Sequence, residues 1–450
     1  MSLDRNMQHH QLRVNLEAVA TTHPDFWSFR GRAIREHGHA YFQYPAMMVP
    51  AMQGLLIEAI CEVSPTTKSA FDPFVGSGTT MTEAMIQGLD FTGWDINPLA
   101  ALLCHTKTGP FDAGVLRHKA NDLMKRIEGD SRVDVDVTFR GLERWFCSNV
   151  AVSLARIRRA IRADHDLWSR RFFWVAIAET VRLTSNDRLS TFKLHRLPNH
   201  EIAARRIEPI AVFQEIIARN IHSVSTMHDA LVERDLLENG YYTGHIAVEL
   251  RDTAACQITE SNSTRHDLLV TSPPYGDNPT TVPYGQYSYL PLQWIDMEDI
   301  DTAPDRQSWL ATTHEIDHRS LGGTKVRALQ EAESLYDRSP TLMHTLEDLK
   351  DSPRDRAVRV AAFCRDIDRC LDTILGSLVP DAFMVWTVGN RRVGGRVVPI
   401  DIILTELLCA RGVEIITSLH RTIPTKRMPN KNQIASTMGT ETILIMRKGV

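Results

Sequence analysis

TSPPYGDN occupies residues 271–278, directly after the apolar run DLLV. Ser272, Pro273, Pro274 and Tyr275 are residue types that could receive a planar, polar substrate. Proline cannot donate to a sheet ladder, so two in succession mark a strand exit with a fixed backbone direction. The Ser272 Oγ and the Pro273 carbonyl then form two acceptors held in place before any ligand arrives. Tyr275 adds a flat ring. A second candidate is FDPFVGSGTT, residues 71–80, followed closely by GWDINPLA, residues 93–100.

The glycine loop admits three readings. It is not a P-loop, because no Gly-Lys-Ser/Thr follows. It matches the dinucleotide fingerprint poorly, because Met81 stands at the third glycine position. What remains is a tight turn at Gly76 and Gly78 that carries backbone amides and a helix N-terminus, opening near Thr79, to a ligand. Asp95, at the end of the next strand, is placed to accept hydrogen bonds from ribose hydroxyls. These features suit any adenosine-containing cofactor.

The elements that must position these groups follow from periodicity. A strand ends near Phe71, a helix begins near Thr79 and stops at Gly88, and a strand DFTGWDI follows, which is a β-loop-α-β unit of the doubly wound type. From about 110 to 240 the pattern turns helical, clearest in VLRHKANDLMKRI, NVAVSLARIRRAIRA and RRFFWVAIAETVRL. Strands return at HIAVELRDTA and DLLV, then at AFMVWTVGN, VEIITSLHR and TETILIMRK. The expectation is one α/β sheet of about seven strands with two insertions. Its parts are a cofactor-binding part at 1–109, a mostly helical insertion at 110–240, the catalytic motif at 241–295, an acidic insertion at 296–355, and a closing part at 356–450.

The 450 residues allow a sizeable core, and 43% hydrophobic with 24% charged residues is an ordinary soluble composition. No apolar run approaches the roughly 18 residues of a membrane span, and the N-terminal stretch lacks a signal-peptide core. A cytoplasmic protein is expected. The seven cysteines are scattered with no CxxC pair, so neither a metal site nor a disulfide framework is supported. The net charge of −4 conceals an asymmetry: residues 138–206 carry 14 Lys/Arg against 6 Asp/Glu, and residues 296–355 carry 7 against 14. A basic segment on an acidic body points to a polyanion.

Taken together, DPFVGSGTT, GWDINPLA and a strand ending in SPPY resemble the S-adenosylmethionine-dependent DNA methyltransferases that modify exocyclic amino groups, making N4-methylcytosine or N6-methyladenine. The resemblance covers roughly residues 40–105, 241–295 and 356–450. It implies a doubly wound, Rossmann-like methyltransferase fold. It implies that Tyr44, Pro45, Asp72, Phe74, Gly76, Gly78, Thr79 and Asp95 serve S-adenosylmethionine, and that Asp252 contacts its adenine. It also accounts for TVGNRRVGGRVVPID and for Glu441 in the last strand. An aromatic amino nitrogen is a poor nucleophile, because its lone pair is delocalised. Acceptors at Ser272 and Pro273 would favour its rehybridisation, and Tyr275 would stack on a base swung out of the duplex. Ring-carbon methylation would need a cysteine nucleophile, which in the enzymes of that type follows a proline, and the chain has no Pro-Cys dipeptide.

Serine at position 272, where adenine enzymes more often carry Asp or Asn, favours N4 of cytosine; N6 of adenine is the alternative. A further alternative is a nucleic-acid-binding protein on such a fold without turnover. In the subclass with the most similar motifs SPPY commonly precedes the glycine loop, whereas here it follows by 195 residues (272 minus 77). Where the target-recognition region lies therefore does not transfer. For double-stranded DNA, NDRLSTFKLHR offers Arg188, Lys193 and Arg196, and KRMPNKN offers Lys426 and Arg427. A cognate restriction endonuclease is the partner that the family implies.

Overall fold

The computed structural model describes residues 2–23, 25–29, 36–256, 264–301, 306–423 and 439–449. Lys426 and Arg427 lie outside the described residues. Seven strands form the main sheet: β1 (Ser69–Asp72), β2 (Asp90–Asp95), β3 (Ile246–Leu250), β4 (His266–Thr271), β5 (Leu378–Val388), β6 (Glu414–Thr422) and β7 (Thr440–Arg447). Their spatial order is β6-β7-β5-β4-β1-β2-β3, with β7 antiparallel to both neighbours and the other pairings parallel. This is the mostly parallel, Rossmann-like sheet expected from the periodicity. The order reverses between β1 and β4, which places a crevice at their carboxyl ends.

Side chains alternate across the sheet with the period of two that a doubly covered sheet demands. Ala70, Leu268, Val270, Phe383 and Val385 face one core, and Phe71, Leu269, Met384 and Trp386 face the other. On the first face pack α1 (Pro50–Val63), α2 (Thr79–Ile86) and α3 (Pro98–Thr106). The helical insertion continues that same core. Its helices α4 (Ala113–Gly129), α5 (Ser148–Arg162), α6 (Leu167–Thr184) and α7 (Pro209–Val232) bury Leu123, Leu154, Phe172, Trp174 and Phe213 completely. The apolar stripe of α5 is thus spent on packing. The second face is covered by α8 (Arg354–Gly376) and α9 (Ile400–Cys409), joined by the acidic insertion through Leu335, Leu342 and Leu346.

The two charged insertions meet. Arg158 and Arg162 of α5 pair with Asp296, and Arg170 of α6 pairs with Asp299 at 2.7 Å. Asp299 also accepts the indole N–H of Trp174 at 2.7 Å. Much of the basic excess read from the sequence is therefore answered within the chain rather than presented to a partner.

Candidate functional site

The carboxyl ends of β1, β2, β3 and β4 open on one cavity of about 960 Å³. Of the residues expected from the sequence, Tyr44, Pro45, Phe74, Gly76, Thr79, Asp95, Asp252, Ser272 and Pro274 line it. Asp72, Gly78, Pro273 and Tyr275 are not among the lining residues.

The loop after β1 is held by backbone hydrogen bonds, one of them to β2. The Val75 N–H donates to the Trp94 carbonyl and the Gly78 N–H to the Val75 carbonyl, each at 2.9 Å. Asp95 closes the turn by accepting the Gly76 N–H at 2.9 Å and the Asn97 N–H at 2.7 Å. Burial pushes its carboxyl up to about 6, against those same amides, which favour the ionised form. Each oxygen retains a lone pair, so the acid can still accept from a diol. Asp72 is fully buried and does a different job: one oxygen accepts the Phe74 N–H at 3.0 Å and the Thr271 hydroxyl at 2.6 Å, tying the loop to the end of β4. Burial lifts its carboxyl to about 7. Beneath the loop the buried Lys107 ammonium donates to the Ser77 carbonyl at 2.6 Å, and burial brings it down to about 8.

The two glycines differ. Both have positive φ, +51° at Gly76 and +78° at Gly78. A Cβ at Gly76 would find only the Tyr44 ring at 3.6 Å and the Phe74 carbonyl at 3.9 Å, with the cavity beyond. A Cβ at Gly78 would sit 3.0 Å from the Cys104 Sγ and 3.2 Å from the Met81 Cε. Gly76 leaves room for a ligand, whereas Gly78 leaves room for the protein itself.

These features fit S-adenosylmethionine. A left-handed glycine leaves room for such a ligand against the backbone, Asp95 presents carboxylate acceptors to the cavity, and the exposed Asp252 lines the same cavity as Leu250 and Phe74. Asp252 also accepts the Ala254 N–H at 2.9 Å, which fixes its direction.

At the end of β4, the Ser272 Oγ lies 3.2 Å from the Tyr275 hydroxyl, which donates to Glu441 at 2.9 Å. The following turn is clamped by a hairpin (Arg391–Val393 with Arg396–Val398) that follows the neighbouring strand β5. Its Arg391 pairs with the buried Asp277 at 2.9 Å and donates to the Thr280 hydroxyl at 3.0 Å. Nothing local in the sequence marked Arg391. Asn97 was also missed, although an Asn before Pro is a recognisable helix start. It caps α3 by accepting the Leu99 N–H, and its amide bridges the Tyr44 hydroxyl at 3.0 Å and the Ser288 hydroxyl at 2.8 Å. Tyr284 stacks on Tyr44 with centroids 5.7 Å apart.

The acidic insertion, for which the sequence offered no role, forms the far wall of the cavity. Trp309, Arg319, Leu321 and Glu331 line it together with Arg365 and Arg369 of α8. Arg319 lies over the Trp309 ring at 4.4 Å, and Glu331 pairs with both Arg365 and Arg369 at 3.1 Å.

The loop at 186–197 packs beside the segment that follows SPPY. Phe192 meets Tyr287 edge to face at 5.7 Å, and Leu194 N–H donates to the Gln286 side chain at 3.4 Å. Arg188 and Lys193 are exposed there. Arg196 is committed to the fold, donating to the carbonyls of Arg144 and Leu197 and to Asn199.

No protein-family model matches the chain. The chain is 31% identical over 427 residues to the type II methyltransferase M.MvaI of Kocuria varians, covering 93% of this chain and 91% of that protein. It is 26% identical over 97 residues to the type II methyltransferase M.MjaII of Methanocaldococcus jannaschii, covering 22% of this chain and 18% of that one.

Proposed function

The chain belongs to the type II DNA methyltransferases, and on that premise we propose that it methylates the exocyclic N4 of cytosine in double-stranded DNA, using S-adenosylmethionine. The observation that carries this reading is that Ser272 opens on the same cavity as Gly76, Asp95 and Asp252. Target amino group and methyl donor would then share one enclosure.

Bound S-adenosylmethionine supplies an electrophilic methyl group on its sulfonium. The chain's own residues align the reactants and remove water. Gly76, Asp95 and Asp252 hold the donor, with Tyr44 and Pro45 along its side. The Ser272 Oγ and the Pro273 carbonyl accept from the amino group, which draws its lone pair out of the ring and along the line of attack. Tyr275 stacks on a base swung out of the duplex. No covalent intermediate on the protein is required. Arg188 and Lys193 meet phosphates from the loop beside Tyr287. In restriction-modification this activity protects DNA from a cognate endonuclease, in the cytoplasm.

Cytosine is favoured over adenine because a short neutral serine stands at position 272. Nucleoside mass spectrometry of DNA from cells expressing the chain, with Ser272→Ala as control, tests the reading. N4-methylcytosine that disappears in the control is the expected result. N6-methyladenine instead would reject the base assignment and keep the mechanism. Neither product would reject amino methylation and favour a binding protein without turnover.

A further inference from the structure

We propose that Glu441 and Tyr275 dictate which way the Ser272 hydroxyl proton points, so that Ser272 meets the target base only as an acceptor. This rests on the amino-methylation reading above. Serine at this position poses a problem that Asp does not: its hydroxyl can donate as well as accept. It could equally donate to the ring nitrogen beside the amino group, N3 of cytosine or N1 of adenine. A serine free to rotate would spend part of its time in that unproductive arrangement.

The structure removes the freedom through a chain of three groups. Glu441 stands directly across from Arg421 in the β6–β7 ladder, and the two side chains form an ion pair at 3.4 Å. A carboxylate is acceptor-only, so the Tyr275 hydroxyl, 2.9 Å away, must give Glu441 its proton. With that proton committed, the Tyr275 oxygen can only accept from Ser272, 3.2 Å away. Ser272 has one proton and it is now directed inward. Its lone pairs are what remain for the cavity, and the arrangement is set before substrate arrives. Burial and then the neighbouring Glu441 raise the Tyr275 hydroxyl well above its ordinary range, so the phenol keeps the proton that the chain needs. Glu441 and the Tyr275 hydroxyl are positioning groups here, acting through Ser272, a role separate from the stacking of the Tyr275 ring. Both bases offer an amino N–H to an acceptor, so the device serves either target.

The test is the single-turnover rate of methyl transfer from labelled S-adenosylmethionine to unmethylated genomic DNA, with cofactor affinity measured by calorimetry. Tyr275→Phe keeps the ring and removes the link. It should slow the methyl-transfer step about tenfold, the equivalent of one lost hydrogen bond, with cofactor affinity unchanged. Glu441→Gln should slow it at least as much. The Gln carbonyl would stay with Arg421 and its amide would donate to Tyr275, reversing the chain and aiming the serine proton at the base. The double variant should be no slower than Tyr275→Phe alone, because a reversed chain cannot pass through phenylalanine. A purely structural Glu441 would instead give effects that multiply. Wild-type rates in Tyr275→Phe or Glu441→Gln, or multiplying effects, would overturn the proposal. If Glu441→Gln fails to fold, the Tyr275→Phe rate decides alone. Ser272→Ala separates the two levels: a wild-type rate there would sink the acceptor reading itself, whereas a slow Ser272→Ala beside a fast Tyr275→Phe sinks only the chain.

Discussion

Replacing either loop glycine by valine should damage the enzyme in opposite ways. At Gly78, φ is +78°, and a non-glycine residue there costs about 1–2 kcal/mol. The new Cβ would lie 3.0 Å from the Cys104 Sγ and 3.2 Å from the Met81 Cε, all within the core beneath the loop. Overpacking of that kind adds about 1–3 kcal/mol, more so for a β-branched side chain. A loss of about 2–5 kcal/mol is a large part of a stability of about 5–15 kcal/mol. Gly78→Val should therefore lower the urea midpoint sharply, and the fraction that stays folded should still bind S-adenosylmethionine. At Gly76 the backbone cost is similar, but the Cβ meets nothing in the protein closer than 3.6 Å. Gly76→Val should keep most of its stability and lose cofactor binding, because its methyl groups occupy the cavity. Urea unfolding and calorimetric titration on the same preparations read both quantities. A Gly78→Val variant with wild-type stability and no cofactor binding would refute the argument, since it would put the ligand against residue 78.

Removing charge at Arg188 and Lys193 should weaken DNA binding on all sequences and lower the slope of log K against log salt by about 1.8, at about 0.9 per phosphate contact; an unchanged slope moves the interface elsewhere. Because burial raises Asp95 to about 6, its carboxylate is lost in the folded protein as pH falls through that value, so calorimetric affinity for S-adenosylmethionine should drop below about pH 6. The sign for folding is opposite: an acid with a raised folded pKa favours the native state at low pH, and that contribution is lost as pH rises from about 4 to about 6. Asp95→Asn should flatten the binding step. Arg391→Ala leaves the buried Asp277 carboxylate without its ion-pair partner and should cost about 3 kcal/mol in chemical denaturation; a cost under about 1 kcal/mol would show that the clamp is dispensable.

The sheet strands were legible because burial on both faces writes itself as short apolar runs, and DLLV or TETILIMRK can hardly be anything else. The glycine loop, Asp95 and SPPY were legible for a related reason: positive φ, a strand-end acid and a rigid strand exit each restrict which residue will serve, so residue type reports conformation. The basic insertion misled in part. Its arginines count as free charge in a sequence, yet Arg158 and Arg170 are answered by Asp296 and Asp299 more than 120 residues away. Long-range pairing leaves no local trace, and the same holds for Arg391 on Asp277, for the wall built by Trp309 and Glu331, and for Glu441 behind Tyr275. What the sequence determined by itself was the set of groups whose conformation depends on their neighbours along the chain. What only the tertiary structure decided was which charges are spent inside and which way a hydroxyl points, because an ion pair or a proton's direction depends on groups that folding alone brings within 3 to 4 Å of each other.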